Sequence, residues 1–427
     1  MAFCLPFSTA LTLIFSAFGV LFGLVGFDWA SFKKVIRNPI AILCVALFVW
    51  LALSMLWSIA PRDEMIEGIS KYRKLLYVPL VAMLLVSTRV KPWFLMNFFV
   101  AGCFLVCIGS LFSSSGLASL LLGPQLPSGG WFIGGAAERY WFYIGPPEKP
   151  TFGRAHIAQG AFLTFALMYM LGRLLAAAMQ KSGGAYITVW VSIPALVFVS
   201  ITILNLGGMT GNILLLLGVL AWVLFFFRAR KGRLAVSLFS GAILFFLIAF
   251  HFNSNLQKRV TKSAEDIALY FENGANTSEG LRLRLWEAGL MGGVDRGFAG
   301  SGVGSFAELY SRDEAEPEDL RVTRPHPHSE YILQYVQAGA IGLILFLGIA
   351  IITMYRGYLC MTSIVVKDGI SSNDFINSSI FLVAALYFAD GIFNSVVWDL
   401  AEGHFFVILI SLINQLMTSR ESKGASE

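Results

Sequence analysis

RVTRPHPHSEYILQYVQAGAIGLILFLGIA, residues 321–350, opens with two arginines and two histidines set among prolines, then runs directly into an apolar stretch. A bilayer core about 30 Å thick takes roughly 20 mostly apolar residues to cross as a helix. Lipid offers no partner for a free backbone amide, so such a stretch must be helical. Runs of this kind recur along the chain, and their repetition decides the fold. Apolar segments lie near 5–27, 39–58, 75–88, 93–112, 155–178, 186–206, 208–227, 233–252, 328–355, 376–397 and 402–418. The expected architecture is an all-α, polytopic integral membrane protein with 11 or 12 transmembrane helices, the twelfth if the Gly-rich first segment (Gly19, Gly23, Gly26) hides two short ones.

Composition agrees. Of 427 residues 57% are hydrophobic and only 13% charged, with a mean hydropathy of +0.72. These values exclude an ordinary soluble domain. The net charge of +5 decides little, because in a membrane protein the placement of Lys and Arg matters more than their sum. No nucleic-acid partner is expected. Cys4, Cys44, Cys103, Cys107 and Cys360 lie in or beside apolar segments and read as small core residues rather than a disulfide framework. The first run lacks a basic leader and a small-residue cleavage site, which favours a retained span over a removed signal peptide.

Orientation follows from the loop Arg228-Ala-Arg-Lys-Gly-Arg233, whose four bases and no acid place it in the cytoplasm. Lys33, Lys34, Arg37, Arg89, Lys91, Arg420 and Lys423 then fall inside, and residues 113–154 and 253–327 fall on the outer side. The domain reading is one transmembrane domain over 1–427. A loop subdomain at 253–327 and a second outer loop at 113–154 are inserted between spans. The larger loop holds 12 of the 26 acids and nine Lys or Arg, with helical stretches near 262–272 and 279–291. The smaller is rich in Gly, Pro and aromatics such as Trp131, Tyr140 and Trp141, which suits an interfacial belt or a sugar surface.

His326 and His328 form a His-x-His pair without a nearby Cys, carboxylate or third His at ligand spacing, so no metal site is expected. Pro325 and Pro327 stop the preceding segment and place His328 in the first turn of the next helix. There the dipole attracts anions and favours a neutral imidazole able to act as a base. A cap or interface anchor at His328 is the other reading. Beyond it Glu330, Gln334 and Gln337 fall at i, i+4 and i+7, a polar stripe that faces a cavity or another helix. Arg282, Arg284, Arg321, Arg324 and Arg154 stand in or at the ends of the two outer loops. Each can be read as an ordinary solvated charge, the reading taken for Arg284 and Arg321, but several guanidinium groups at a membrane lip suit a lipid diphosphate, which they hold bidentately without losing charge. Lys71, Arg73 and Lys74 fall on the same side. Asp390 and Asn394 line the interior of a span, and His156, His251 and His404 show no partner in the pattern. GGVDRGFAGSGVGSF, 292–306, lacks the Gly-Lys-Ser/Thr of a P-loop and reads as a tight turn.

Two motifs carry a resemblance. TSEGLRLRLWEAGLMGGVDRGFAGSGVGSF is similar to the Arg-x-x-x-Trp then Gly-x-Gly signature of the O-antigen ligase and polymerase superfamily. HSEYILQYVQAGAIG is similar to its His-Asn-x-Tyr-Leu then Glu-x-Gly signature. The stretch SKYRKLLYVPLVAML is also similar, though less specific. The resemblance implies a multi-pass bacterial inner-membrane glycosyltransferase whose site faces the periplasm. It would move a glycan from undecaprenyl diphosphate to lipid A-core oligosaccharide in lipopolysaccharide biosynthesis, with inversion and without metal or other cofactor. It maps the motif histidine to His328 and the loop arginine to Arg282. Two departures stand out: Ser329 replaces the motif asparagine, and GGMTGN at 207–212 lacks the arginine of a Ser-Arg-Gly motif. Arg154 is the expected substitute, with Arg324 and His326 in support. The rivals are an O-antigen polymerase, a protein O-oligosaccharyltransferase and, from another class, a lipid-linked glycan transporter.

Overall fold

The computed structural model describes all residues except 116, 123–129, 134–141, 148–149, 180–182, 207, 229–231, 276, 295–296, 312–325, 367–371 and 425–427. Capping chemistry sets the first elements. Helix α1 (Thr9–Val25) runs unbroken over Gly19 and Gly23, so these glycines do not divide it into two spans. A bend of 114° separates it from α2 (Trp29–Val35). Asp28 caps α2, its carboxylate accepting from Ala30 N and Ser31 N. Asn38 then caps α3 (Pro39–Ser54), with Pro39 at the first helical position, where no amide is needed.

The helices that follow are α4 (Arg62–Tyr72), α5 (Lys74–Thr88), α6 (Pro92–Ser114), the short α7 (Leu117–Leu122), α8 (His156–Met179), α9 (Gly183–Leu206), α10 (Met209–Arg228) and α11 (Gly232–Phe252). The expected outer segment 253–327 contains α12 (Ser254–Asn273), α13 (Ser278–Val294) and α14 (Phe306–Ser311). The chain closes with α15 (Glu330–Val366), α16 (Ser372–Asp390) and α17 (Leu400–Gly424). Among the described residues six helices are long and apolar enough to cross a membrane, seven if α1 and α2 count as one, and three shorter apolar helices join them. The fold class is therefore all-α and polytopic. The apolar run at 376–397 ends as a helix at Asp390 and continues as irregular chain to Asp399.

The chain divides into two compact units. The first comprises Met1–Gly19, Val90–Val260 and Tyr355–Leu386. In it α8 packs on α9 and α10. Gly160 and Gly211 let α8 and α10 approach closely: a methyl on Gly211 would lie 3.0 Å from the Gly160 backbone. This gives the GGMTGN segment a packing role. An apolar cavity of about 720 Å³ lies among α8, α9, α10, α11 and the start of α12. A short antiparallel pair, β1 (Trp131–Ile133) and β2 (Phe142–Ile144), builds the smaller loop, with Trp131 and Ile144 buried on Ala118.

The second unit comprises Val20–Arg89, Thr261–Met354 and Tyr387–Glu427. Its core joins α17 to α5, where the Ser411 hydroxyl donates to Val78 O (3.1 Å) and Gln415 Nε2 to Leu85 O (2.8 Å). Helix α15 is interrupted at Gly339 (φ 64°, ψ −163°). The glycine segment fills the break. Ser301 N donates to Val336 O (2.7 Å), Gly302 N to Gln337 O (3.0 Å), and Ala340 N to Gly297 O (2.9 Å). On its other side Val303 N donates to Ser54 Oγ (3.0 Å), and Ser58 Oγ to Val303 O (2.9 Å). The segment read as a tight turn is thus a backbone plug between α3 and α15. Its glycines are required: a methyl on Gly302 would lie 2.2 Å from Ser58 Cα and one on Gly300 2.4 Å from Gly339 N.

Candidate active site

The site is built at the head of α15, in the second unit. Glu330, fully buried, is its clamp. One carboxylate oxygen accepts from Val397 N (2.8 Å) and Trp398 N (3.3 Å), and the other from Gln334 Nε2 (2.8 Å). The Glu330 amide donates to Gly391 O (2.8 Å) and Asn394 O (3.1 Å). A polar stripe at i and i+4 thus has a definite purpose: it fastens the irregular connection 391–399 to the first turn of a span. Lys74 Nζ holds the same connection from α5 by donating to Asp399 O (2.6 Å) and Trp398 O (3.3 Å). Tyr387 adds a third tie, its hydroxyl donating to Val396 O (2.9 Å).

His326 sits against this fastened connection, and His328 packs on His326. Their rings meet edge to face, centroids 4.6 Å apart. His326 Nδ1 lies 3.1 Å from Ser395 Oγ, and the His328 amide donates to the same nitrogen at 3.4 Å. An amide can only donate, so Nδ1 is the acceptor and the network assigns the proton of a neutral His326 to Nε2. That nitrogen faces Asp399, with Oδ1 at 4.0 Å. Burial first, and Glu402 next, raise the Asp399 carboxyl above the usual carboxylate range. Its side chain keeps 39% of its surface exposed, so water screens part of this effect and the direction is what matters. Lys71 Nζ stands 4.2 Å over the Trp398 ring beside the histidines.

His328 is not in the first helical turn, contrary to expectation. It precedes α15 by two residues in the left-handed region (φ 53°), a conformation that costs a non-glycine residue about 1 kcal/mol or more. The ring packs against His326. Arg282 lies on α13 and pairs with Glu279 at 3.5 Å, both partly exposed. It interacts electrostatically with Asp390, whose Oδ1 accepts from Asn394 Nδ2 (2.5 Å). The Trp286 ring on α13 lies 6.3 Å from Phe393 in the connection, which brings that helix to the same cluster. Arg284 is turned to the Gly274 carbonyl (2.6 Å).

The structure thus gathers His326 and His328 and brings α13, with Arg282, to the connection that His326 rests on. Arg154 belongs to the first unit, where its Nε donates to Leu5 O (2.8 Å). Arg321 and Arg324 lie outside the described residues. Ser395 and Asp399 are the residues that sequence reasoning missed. An acid beside a tryptophan at the lip of a span was the available signal, obscured by reading 376–397 as one helix.

The family model for O-Antigen ligase matches residues 194–347, which take in Arg282, His326 and His328. No curated protein matches the chain. A chain solved in work on "Structural coordination of polymerization and crosslinking by a peptidoglycan synthase complex" is similar at 14% identity, over 90% of this chain and 97% of that one, with a TM-score of 0.41.

Proposed function

We propose, on the premise of the O-antigen ligase/polymerase superfamily membership that this match supports, that the protein is an O-antigen ligase. It transfers O-antigen polysaccharide from undecaprenyl diphosphate to lipid A-core oligosaccharide at the periplasmic face of the inner membrane. The observation that carries the reading is the pair of imidazoles fastened at the mouth of a membrane span, beside a helix that bears Arg282. A hydroxyl of the acceptor sugar attacks the anomeric carbon of the donor. The bond from that carbon to the diphosphate oxygen breaks, and its electrons leave with the diphosphate. His328 takes the proton of the attacking hydroxyl, and direct displacement inverts the carbon. Diphosphate is a good leaving group, so the protein's task is to neutralise the charge that grows on it. Arg282 holds it, with Arg324 and His326 in support. The reaction needs neither metal nor nucleotide sugar.

The test is transfer by purified protein from lipid-linked glycan to rough lipopolysaccharide, with and without a chelator. Transfer that survives chelation and is lost in His328→Ala supports the reading, since a positioned base contributes about 10²–10⁴-fold. If lipid-linked single repeat units are instead joined to one another on the carrier, the activity is a polymerase. Transfer to a protein serine hydroxyl would mark an oligosaccharyltransferase.

A further inference from the structure

We infer that the second half of α13 and Phe298 lie in the outer leaflet, with Leu290, Met291, Val294 and Phe298 facing lipid acyl chains. Sequence order places these residues in an outer loop. The backbone places them at the level of a membrane span.

The depth can be read from α3, in the same unit. Gly297 O accepts from Ala340 N, and Trp50 Nε1 on α3 donates to Ala338 O (2.8 Å), at the same level of the break. Trp50 lies thirteen residues beyond the basic residue Arg37. At a rise of about 1.5 Å per residue that is about 20 Å from the inner boundary, short of a core of roughly 30 Å. Gly297 therefore sits about 10 Å below the outer boundary, a depth at which the apolar face of an interfacial helix is buried.

The way α13 reaches this level fits a lipid environment. It descends in step with α15 on Gly289 and Gly293, a Gly-x-x-x-Gly contact of the kind membrane helices use for close approach. A methyl on Gly289 would lie 2.5 Å from Ile332 Cγ2, and one on Gly293 2.5 Å from Tyr335 Cε1. The opposite face is uncovered and changes character with depth. At the top is Glu287, whose carboxylate accepts from the Tyr270 hydroxyl (2.6 Å). Below it Leu290 is 50% exposed, Met291 66%, Val294 69% and Phe298 74%. Such a stripe in water would be a marked liability. The consequence is that Arg282, more than two helical turns above Leu290, comes to the headgroup level.

The experiment uses full-length protein in phospholipid nanodiscs with its native cysteines replaced by serine. Single cysteines at Phe298, Val294 and Glu287 carry a nitroxide, and collision rates with oxygen and with a water-soluble nickel chelate are compared. Phe298→Cys and Val294→Cys should favour oxygen over nickel by about tenfold relative to Glu287→Cys, as expected for a residue below the headgroups. A nickel-favoured Phe298→Cys overturns the inference, and so does a site closed to both reagents, since protein then covers the stripe. The readout is independent of glycan transfer, so an inactive protein with an oxygen-favoured stripe would contradict the proposed function and leave this inference standing.

Discussion

The connection 391–399 and the glycine segment 297–304 are both irregular chain seated against the outer half of α15, and they are held in opposite ways. The first is fastened by side chains: the Glu330 carboxylate, the Lys74 ammonium and the Tyr387 hydroxyl all bond its backbone. The second is fastened to α15 backbone to backbone, with glycine wherever a side chain would collide. Backbone amides buried without partners are costly, so each segment had to find acceptors. The difference teaches where change is tolerated. A polar clamp holds its segment through side chains that a substitution can remove, whereas a glycine plug responds to added volume.

Breaking the clamp should have the largest effect. Glu330→Leu leaves the amides of Val397 and Trp398 without their acceptor, at about 1–3 kcal/mol each. We expect a large fall in Tm in detergent, and loss of transfer even in the folded fraction, because the histidines lose their support. Glu330→Gln, which keeps one acceptor, should fall between the two.

Breaking the plug comes next. Gly302→Ala (φ 91°) forces a left-handed non-glycine at about 1–2 kcal/mol and a methyl into the Ser58 backbone, with overpacking of about 1–3 kcal/mol. The loss in Tm should be the same at pH 5 and pH 8.

The comparison sharpens with pH. The Asp399 carboxyl, beside the clamp, is raised above its unfolded value near 3.9. A carboxyl raised by folding adds its full stabilisation below the unfolded value and loses it as pH climbs through the folded one. Wild-type Tm should therefore decline from pH 5 to pH 8 more steeply than that of Asp399→Asn, by less than about 1.4 kcal/mol per pH unit. Parallel Tm–pH curves would remove Asp399 from the account. The smallest effect belongs to Glu279→Gln, which releases Arg282 from a partly exposed pair worth about 0.2–0.5 kcal/mol. It should leave Tm nearly unchanged.

Much of this was legible in the residues. The apolar runs gave the helices, the two helical stretches near 262–272 and 279–291 appear as α12 and α13, and the Glu330-Gln334-Gln337 stripe is buried as its spacing required. What the residues hid was long-range. Nothing local says that Glu330 accepts from a backbone 67 positions on. Nor does local pattern show that the glycines at 300, 302 and 304 answer to Gly339, Ser58 and Glu64. Likewise the left-handed turn at His328, which sets its ring against His326, has no local signal.

The central claim is that an imidazole at the head of α15 removes the acceptor's proton without metal assistance. It is tested most directly by single-turnover transfer from lipid-linked glycan to rough lipopolysaccharide under excess chelator, comparing wild type with His328→Ala at matched folded fractions. The account predicts full wild-type transfer and a loss of about 10²-fold or more in the variant. Transfer abolished by the chelator, or sustained in His328→Ala, would contradict it.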